Sequence, residues 1–168
     1  ARKWVKIIKE KENPDVLVGL FHAGPEGNKL DNVVENGSGD VAKNVPGFDV
    51  VFMGHDHVRR CEKIVNVAGD SVLLIDPANA AKYVSDVTVK VTKAGGKLVR
   101  KSVEGALVDV SRYAADEDFM REFAGQYQAT VDFVSRKIGR IEETITTKDA
   151  YFGPSAFIDL LHQLQLDI

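Results

Sequence analysis

Three of the four histidines in this 168-residue chain close apolar runs. His22 follows Val16 to Phe21, and His55 and His57 flank Asp56 directly after the run GFDVVFMG, residues 47–54. A neutral imidazole nitrogen is a good ligand for a divalent transition metal, at about 2.0–2.1 Å for zinc. A His-x-His pair can offer two such nitrogens to one ion or to two adjacent ions. The competing reading of the pair is a polar strand end, and of His22 alone a solvated or structural histidine. If His22 ends a strand beside that of His55 and His57, three imidazoles converge on one sheet edge. Hydrolytic metal sites also need carboxylates. Asp56, Asp70 and Asp76 are the local candidates, and their spacing does not make a convincing set. Read from the residues alone, this is an incomplete metal site.

The elements that must hold these side chains follow from periodicity. Residues 1–12 put Trp4, Ile7 and Ile8 on one face of a surface helix, which Asn13-Pro14-Asp15 ends. Val16 to Phe21 and Phe48 to Met53 are short continuous apolar runs, expected as strands buried on both faces. Residues 26–47 are polar and rich in Gly and Asn, a loop with a short helix near 41–44. This helix-strand-loop-helix-strand order opens an α/β fold, in which ligands collect beyond the carboxyl ends of strands. Residues 63–67, 72–75, 84–92 and 97–110 are strand-like, with turns at 68–71 and 93–96, and are expected to form an antiparallel meander. Asp76 to Asn79 reads as a loop between two of its strands, and 76–81 as a candidate pocket wall. A helix is expected over 116–135, capped by Asp116, with Phe119, Phe123, Tyr127, Val131 and Val134 in a stripe. Short extended stretches follow at 138–141 and 144–146. Gly153-Pro154-Ser155 opens a last helix with Phe157, Leu160, Leu161 and Leu164 inward.

Bulk properties narrow the class. The chain is 44% hydrophobic and 28% charged, with a net charge of −3, which fits a globular domain. Lys and Arg are scattered rather than striped, so the composition argues against a nucleic-acid polymer as partner. No apolar run approaches the roughly 20 residues of a membrane span. Cys61 is the single cysteine, so neither an internal disulfide nor a multi-thiolate metal site is available.

The elements VLVGLFHAG, then FDVVFM, then GHDH resemble the last two metal motifs of the calcineurin-like metallophosphoesterases, most closely the bacterial 5'-nucleotidase and 2',3'-cyclic-nucleotide phosphodiesterase group. The family order is Asp-x-His, Gly-Asp, Gly-Asn-His-Asp/Glu, a lone His, then Gly-His-x-His. His22 matches the lone His; Gly54, His55, Asp56 and His57 match the last element. The resemblance implies a dinuclear centre of zinc, manganese, iron or cobalt, with His22 and His55 on one ion and His57 on the other. Two such ions acidify a water that attacks phosphorus in line. Asp56 is expected to form the turn rather than bind metal. The resemblance also implies a nucleotide phosphomonoester or 2',3'-cyclic nucleotide as substrate and a periplasmic or otherwise extracytoplasmic location.

The fold expected is therefore α/β with α+β features. Residues 1–110 would be the carboxyl-terminal part of a metallophosphoesterase β-sandwich, 111–137 a connecting helix, and 138–168 the start of a second domain. The three earlier family motifs do not precede His22, and with them go the bridging aspartate and the phosphate-contacting histidine. The expectation is thus an internal piece of a longer enzyme, inactive alone, that works with upstream and downstream parts of the same protein. No catalytic residue is assigned within it. The contrasting hypothesis is a binding or regulatory module that keeps the sheet without the chemistry. His162 is read as interdomain or solvent-facing, and Tyr151 and Phe152 as packing residues.

Overall fold

The computed structural model describes residues 1–27, 29–30 and 33–168, with side chains between 28 and 34 excluded. The loop expected over 26–47 therefore lies partly outside the described residues. The chain divides into two compact units, Ala1–Ala114 and Ala115–Ile168.

The first unit is built on a four-stranded sheet. β1 (Val18–Leu20), β4 (Val50–Phe52) and β6 (Ser71–Pro77) run parallel, and β5 (Arg59–Val65) pairs antiparallel with β6, in the order β1-β4-β6-β5. β2 (Lys29–Leu30) and β3 (Val33–Val34) form a small antiparallel pair. β7 (Tyr83–Ala94) and β8 (Lys97–Asp109) form a separate two-stranded ribbon. The single meander expected from sequence is thus two hairpins in two sheets, because β6 spends its second edge on the parallel strand β4. Gly95 and Gly96 both take positive φ, 57° and 77°, the geometry that a two-residue hairpin turn demands.

The sheet buries both faces at its centre, and strand alternation sorts the side chains. Val51, Met53, Val72 and Leu74 pack with Val5 of α1 (Arg2–Lys11) and Ala42 of α2 (Ser38–Asn44). Val50, Leu73 and Ile75 face the other way, against Val87, Val89, Val103 and Leu107 of the ribbon. The ribbon approaches closely: a Cβ on Gly105 would stand 2.6 Å from Leu73. The continuous apolar run of β4 is explained by this double burial.

Two expectations are corrected here. β1 is an edge strand and not buried on both faces; Val18 is 48% and Leu20 83% exposed. In α1 the helix turns Val5 to the core, while Trp4 is 65% exposed. Asp49, just before β4, ties this end of the sheet together. Its Oδ2 accepts from the Leu17 amide at 2.8 Å, and its Oδ1 pairs with Lys101 of β8 at 2.6 Å.

The second unit contains α3 (Glu117–Glu122), α4 (Ala124–Val134) and α5 (Ala156–Leu166). Asp116 caps α3 as expected, accepting from the Phe119 amide at 2.7 Å. The single helix expected over 116–135 is broken at Phe123, whose ψ of 6° leaves the helical region. Phe119, Phe123, Tyr127 and Val134 of the expected stripe are largely exposed. No strand forms over 138–146 among the described residues. In α5 Phe157 and Leu160 are half-buried, whereas Leu161 and Leu164 are exposed, against the inward face expected for all four.

Candidate metal centre

Because β1, β4 and β6 are parallel neighbours, their carboxyl ends share one edge. His22 lies just past β1, His55 and His57 just past β4, and Ala78 to Lys82 just past β6. His22 and His55 come together: His55 Nδ1 stands 3.4 Å from His22 Nε2, with ring planes at 73°. That separation is long for an N–H···N hydrogen bond. It matches the span of about 3.4 Å between two corners of a tetrahedron whose metal–nitrogen bonds are about 2.1 Å. Both rings are solvent-accessible.

His57 faces another neighbour. Its Nδ1 lies 3.4 Å from the Asn79 side-chain amide. The two histidines of the pair diverge because the backbone turns sharply, His55 at φ 83° and His57 at φ 60°. Left-handed backbone costs a non-glycine residue on the order of 1–2 kcal/mol and persists only where the surroundings enforce it. Asp56 supplies part of that enforcement. Its Oδ1 accepts from the Val58 amide at 3.0 Å, the turn-forming role expected of it. On its other side Asp56 packs against Gly24, where an added Cβ would meet Asp56 Oδ2 at 2.7 Å. The loop carrying His22 and the loop carrying His55 therefore pack closely at Gly24, where a side chain would crowd the Asp56 carboxyl.

Three side chains at this edge carry no motif in the sequence. Glu35 Oε1 lies 3.2 Å from His55 Nε2, the ring nitrogen turned away from His22. With a carboxylate as acceptor there, Nε2 would carry the proton and leave Nδ1 free to ligate. Glu35 sits in a polar loop 20 residues before His55, and no spacing rule points to it. Asn79 belongs to the 76–81 segment considered as a pocket wall. Asp76 is fully buried, with Oδ1 accepting from the Ala78 amide at 2.7 Å. Burial pushes the Asp76 carboxyl above the usual carboxylate range; the Ala78 amide opposes this, and the neighbouring Asp56 carboxyl adds to it. Asp76 Oδ2 has no hydrogen-bond partner among the described residues. Asp70 is elsewhere, in the turn between β5 and β6, where Asn66 binds its backbone and side chain.

The fit to a metal is partial. The His22–His55 pair has the spacing for one ion. Among the described residues, no group of three or more His, Cys, Asp or Glu side chains converges as a metal site. His162 is exposed on α5, and Tyr151 and Phe152 are exposed beside each other.

The chain superposes on the crystal structure of the calcineurin-like phosphoesterase YfkN from Bacillus subtilis with a TM-score of 0.62, at 20% identity over 81% of this chain and 44% of that one. It has part of the calcineurin-like phosphoesterase fold. The 5'-nucleotidase precursor from Thermus thermophilus matches this phosphoesterase fold with a TM-score of 0.57, at 19% identity over 89% of this chain and 30% of that one. In sequence, the Bacillus subtilis trifunctional nucleotide phosphoesterase protein YfkN is 22% identical over 147 residues, 81% of this chain and 10% of that protein. No protein-family profile matches. The relatives fall in the metallophosphoesterase and 5'-nucleotidase group that the His-x-Gly and Gly-His-x-His elements resemble. The chain spans less than half of either solved relative and about a tenth of the curated one. No helix among the described residues is long and apolar enough to cross a membrane.

Proposed function

We propose that this chain carries the histidine-rich part of a dinuclear-metal phosphoesterase centre, acting on nucleotide phosphomonoesters or 2',3'-cyclic nucleotides. The observation that supports it most is the 3.4 Å approach of His22 Nε2 and His55 Nδ1 across two parallel strands 33 residues apart in sequence. His22 and His55 would hold one ion, and His57, turned away from them toward Asn79, the other. Glu35 would orient the His55 ring. Bound divalent ions would supply an activated water and neutralise phosphoryl charge. The carboxylate ligands would come from parts of the protein outside these 168 residues, since the motifs expected to provide them do not precede His22.

The same reading assigns 1–110 to the phosphoesterase domain, 111–137 to a connector and 138–168 to the start of a nucleotidase domain. It also places the protein outside the cytoplasm. Calorimetric titration of the 168-residue chain with zinc or manganese tests the ligand assignment. The expected result is one weakly held ion that is lost in His22→Ala and in His55→Ala. Two stoichiometric submicromolar sites would contradict the division of ligands. Phosphate release from AMP and a 2',3'-cyclic nucleotide should be negligible for this chain. It should appear, metal-dependent, when the protein's own upstream sequence is restored. An inactive extended protein that contains all the expected motifs would favour the binding-module hypothesis.

A further inference from the structure

The same end of the first unit carries a trough that the histidine cluster does not use. Two cavities of about 410 and 440 Å³ share Tyr83 and Asp109 as walls. Arg59, Arg112 and Tyr113 also line the first. Ala80, Ala81 and Lys82 line the second, in the loop whose Asn79 reaches His57. The trough therefore begins beside the candidate metal centre.

Its charge is cationic and partly fixed. The Arg59 guanidinium carbon lies 4.6 Å from the Tyr83 ring centroid, and Nη1 donates to the Tyr83 hydroxyl. Among the described residues, neither Arg59 nor Lys82 has a carboxylate within ion-pair distance. Asp109 is the acidic residue in the wall, and it is already engaged. It accepts from the Ser111 hydroxyl at 2.7 Å and amide at 3.0 Å, which hold its carboxyl below the usual range. It also faces Arg112 at 3.8 Å. Three cations against one engaged carboxylate leave the trough positive. A guanidinium held by stacking, with donors to spare, is suited to bidentate capture of a phosphate. Arg59 is two residues from His57, at most about 7 Å of extended chain. The trough and the histidines are thus carried by adjacent segments of chain.

We propose that this trough is a subsite for a second phosphate, so that molecules with two phosphoryl groups, such as nucleoside bisphosphates, are held in preference to simple phosphomonoesters. The word substrate for such a molecule rests on the phosphoesterase reading; the anion binding itself does not. Metal-free calorimetry on the 168-residue chain with adenosine 3',5'-bisphosphate, AMP and adenosine tests it. Either phosphate-bearing ligand can place one phosphate in the trough, so both should bind, and adenosine should give no measurable heat. Arg59→Ala should weaken the bisphosphate about tenfold and Arg59→Lys, which keeps charge but loses the planar fork, about threefold. Arg140→Ala, outside the trough, should leave it unchanged. Adenosine binding as tightly as the bisphosphate would overturn the proposal, as would unaltered affinity in both Arg59→Ala and Arg112→Ala. Arg59-dependent binding in a protein whose extended form hydrolyses nothing would keep the subsite and remove the phosphoesterase reading. An active extended form whose kcat/KM ratio for bisphosphate over AMP is unmoved by Arg59→Ala would do the reverse.

Discussion

The carboxyl edge of the first unit and the helix α5 of the second both present histidines, and they differ in everything that surrounds them. At the sheet edge, His55 touches His22 and Glu35, His57 touches Asn79, and both His55 and His57 hold left-handed backbone. On α5, His162 is exposed on regular helix with no hydrogen-bond partner among the described residues. The lesson is that residue type contributes little without constraint. Parallel strands deliver their ends to one edge, and loop contacts then orient the rings.

The widest split between the two regions should be kinetic. In the protein with its upstream sequence restored, His55→Ala or His57→Ala should lower metal-dependent turnover by about three orders of magnitude, roughly 4 kcal/mol of barrier. His162→Ala should stay within about twofold. Phosphate release from AMP measures both. Comparable losses for His55→Ala and His162→Ala would erase the distinction.

Glycines sharpen the same contrast in stability. Gly24→Ala drives a methyl group to 2.7 Å from the Asp56 carboxylate, and overpacking of this kind costs about 1–3 kcal/mol. Gly125, in α4, has open space at its Cβ position, and Gly125→Ala should stabilise its helix by about 0.5–1 kcal/mol. Urea unfolding of the two variants should move in opposite directions. A neutral Gly24→Ala would mean that the two histidine loops do not pack closely at Gly24.

The smallest effect is expected at Asp76. Its folded carboxyl titrates above the unfolded value of 3.8, chiefly through burial. The folded state therefore binds the extra proton, and this contribution to stability is complete below the unfolded value. It is lost as pH rises through the raised folded one. Asp76→Asn keeps an acceptor for the Ala78 amide and removes the buried charge. It should raise stability at neutral pH by on the order of 1 kcal/mol, with the gain vanishing toward acid. Thermal melts across pH would show a flatter profile in the variant; a parallel profile would reject the raised Asp76 carboxyl.

Much of this was legible in the residues. The apolar runs of β4 and β6, the Asp116 cap, the turn role of Asp56 and the glycine turns are set by local sequence, because alternation, capping and positive φ act over a few residues. The grouping of His22 with His55 was legible only as an expectation about strand ends. What the tertiary structure decided lies at longer range. Edge or centre is not written in a strand's own residues, so β1 looked as buried as β4. Whether consecutive hairpins join one sheet depends on which edge β6 has free. Glu35 reaches His55 from 20 residues away and Asn79 reaches His57 from 22. Asp76 became a buried acid only once β6 lay between β4 and β5. Local sequence sets what each segment can offer over one or two turns of chain; packing, through long-range contacts that no local pattern encodes, chooses which of those offers meet.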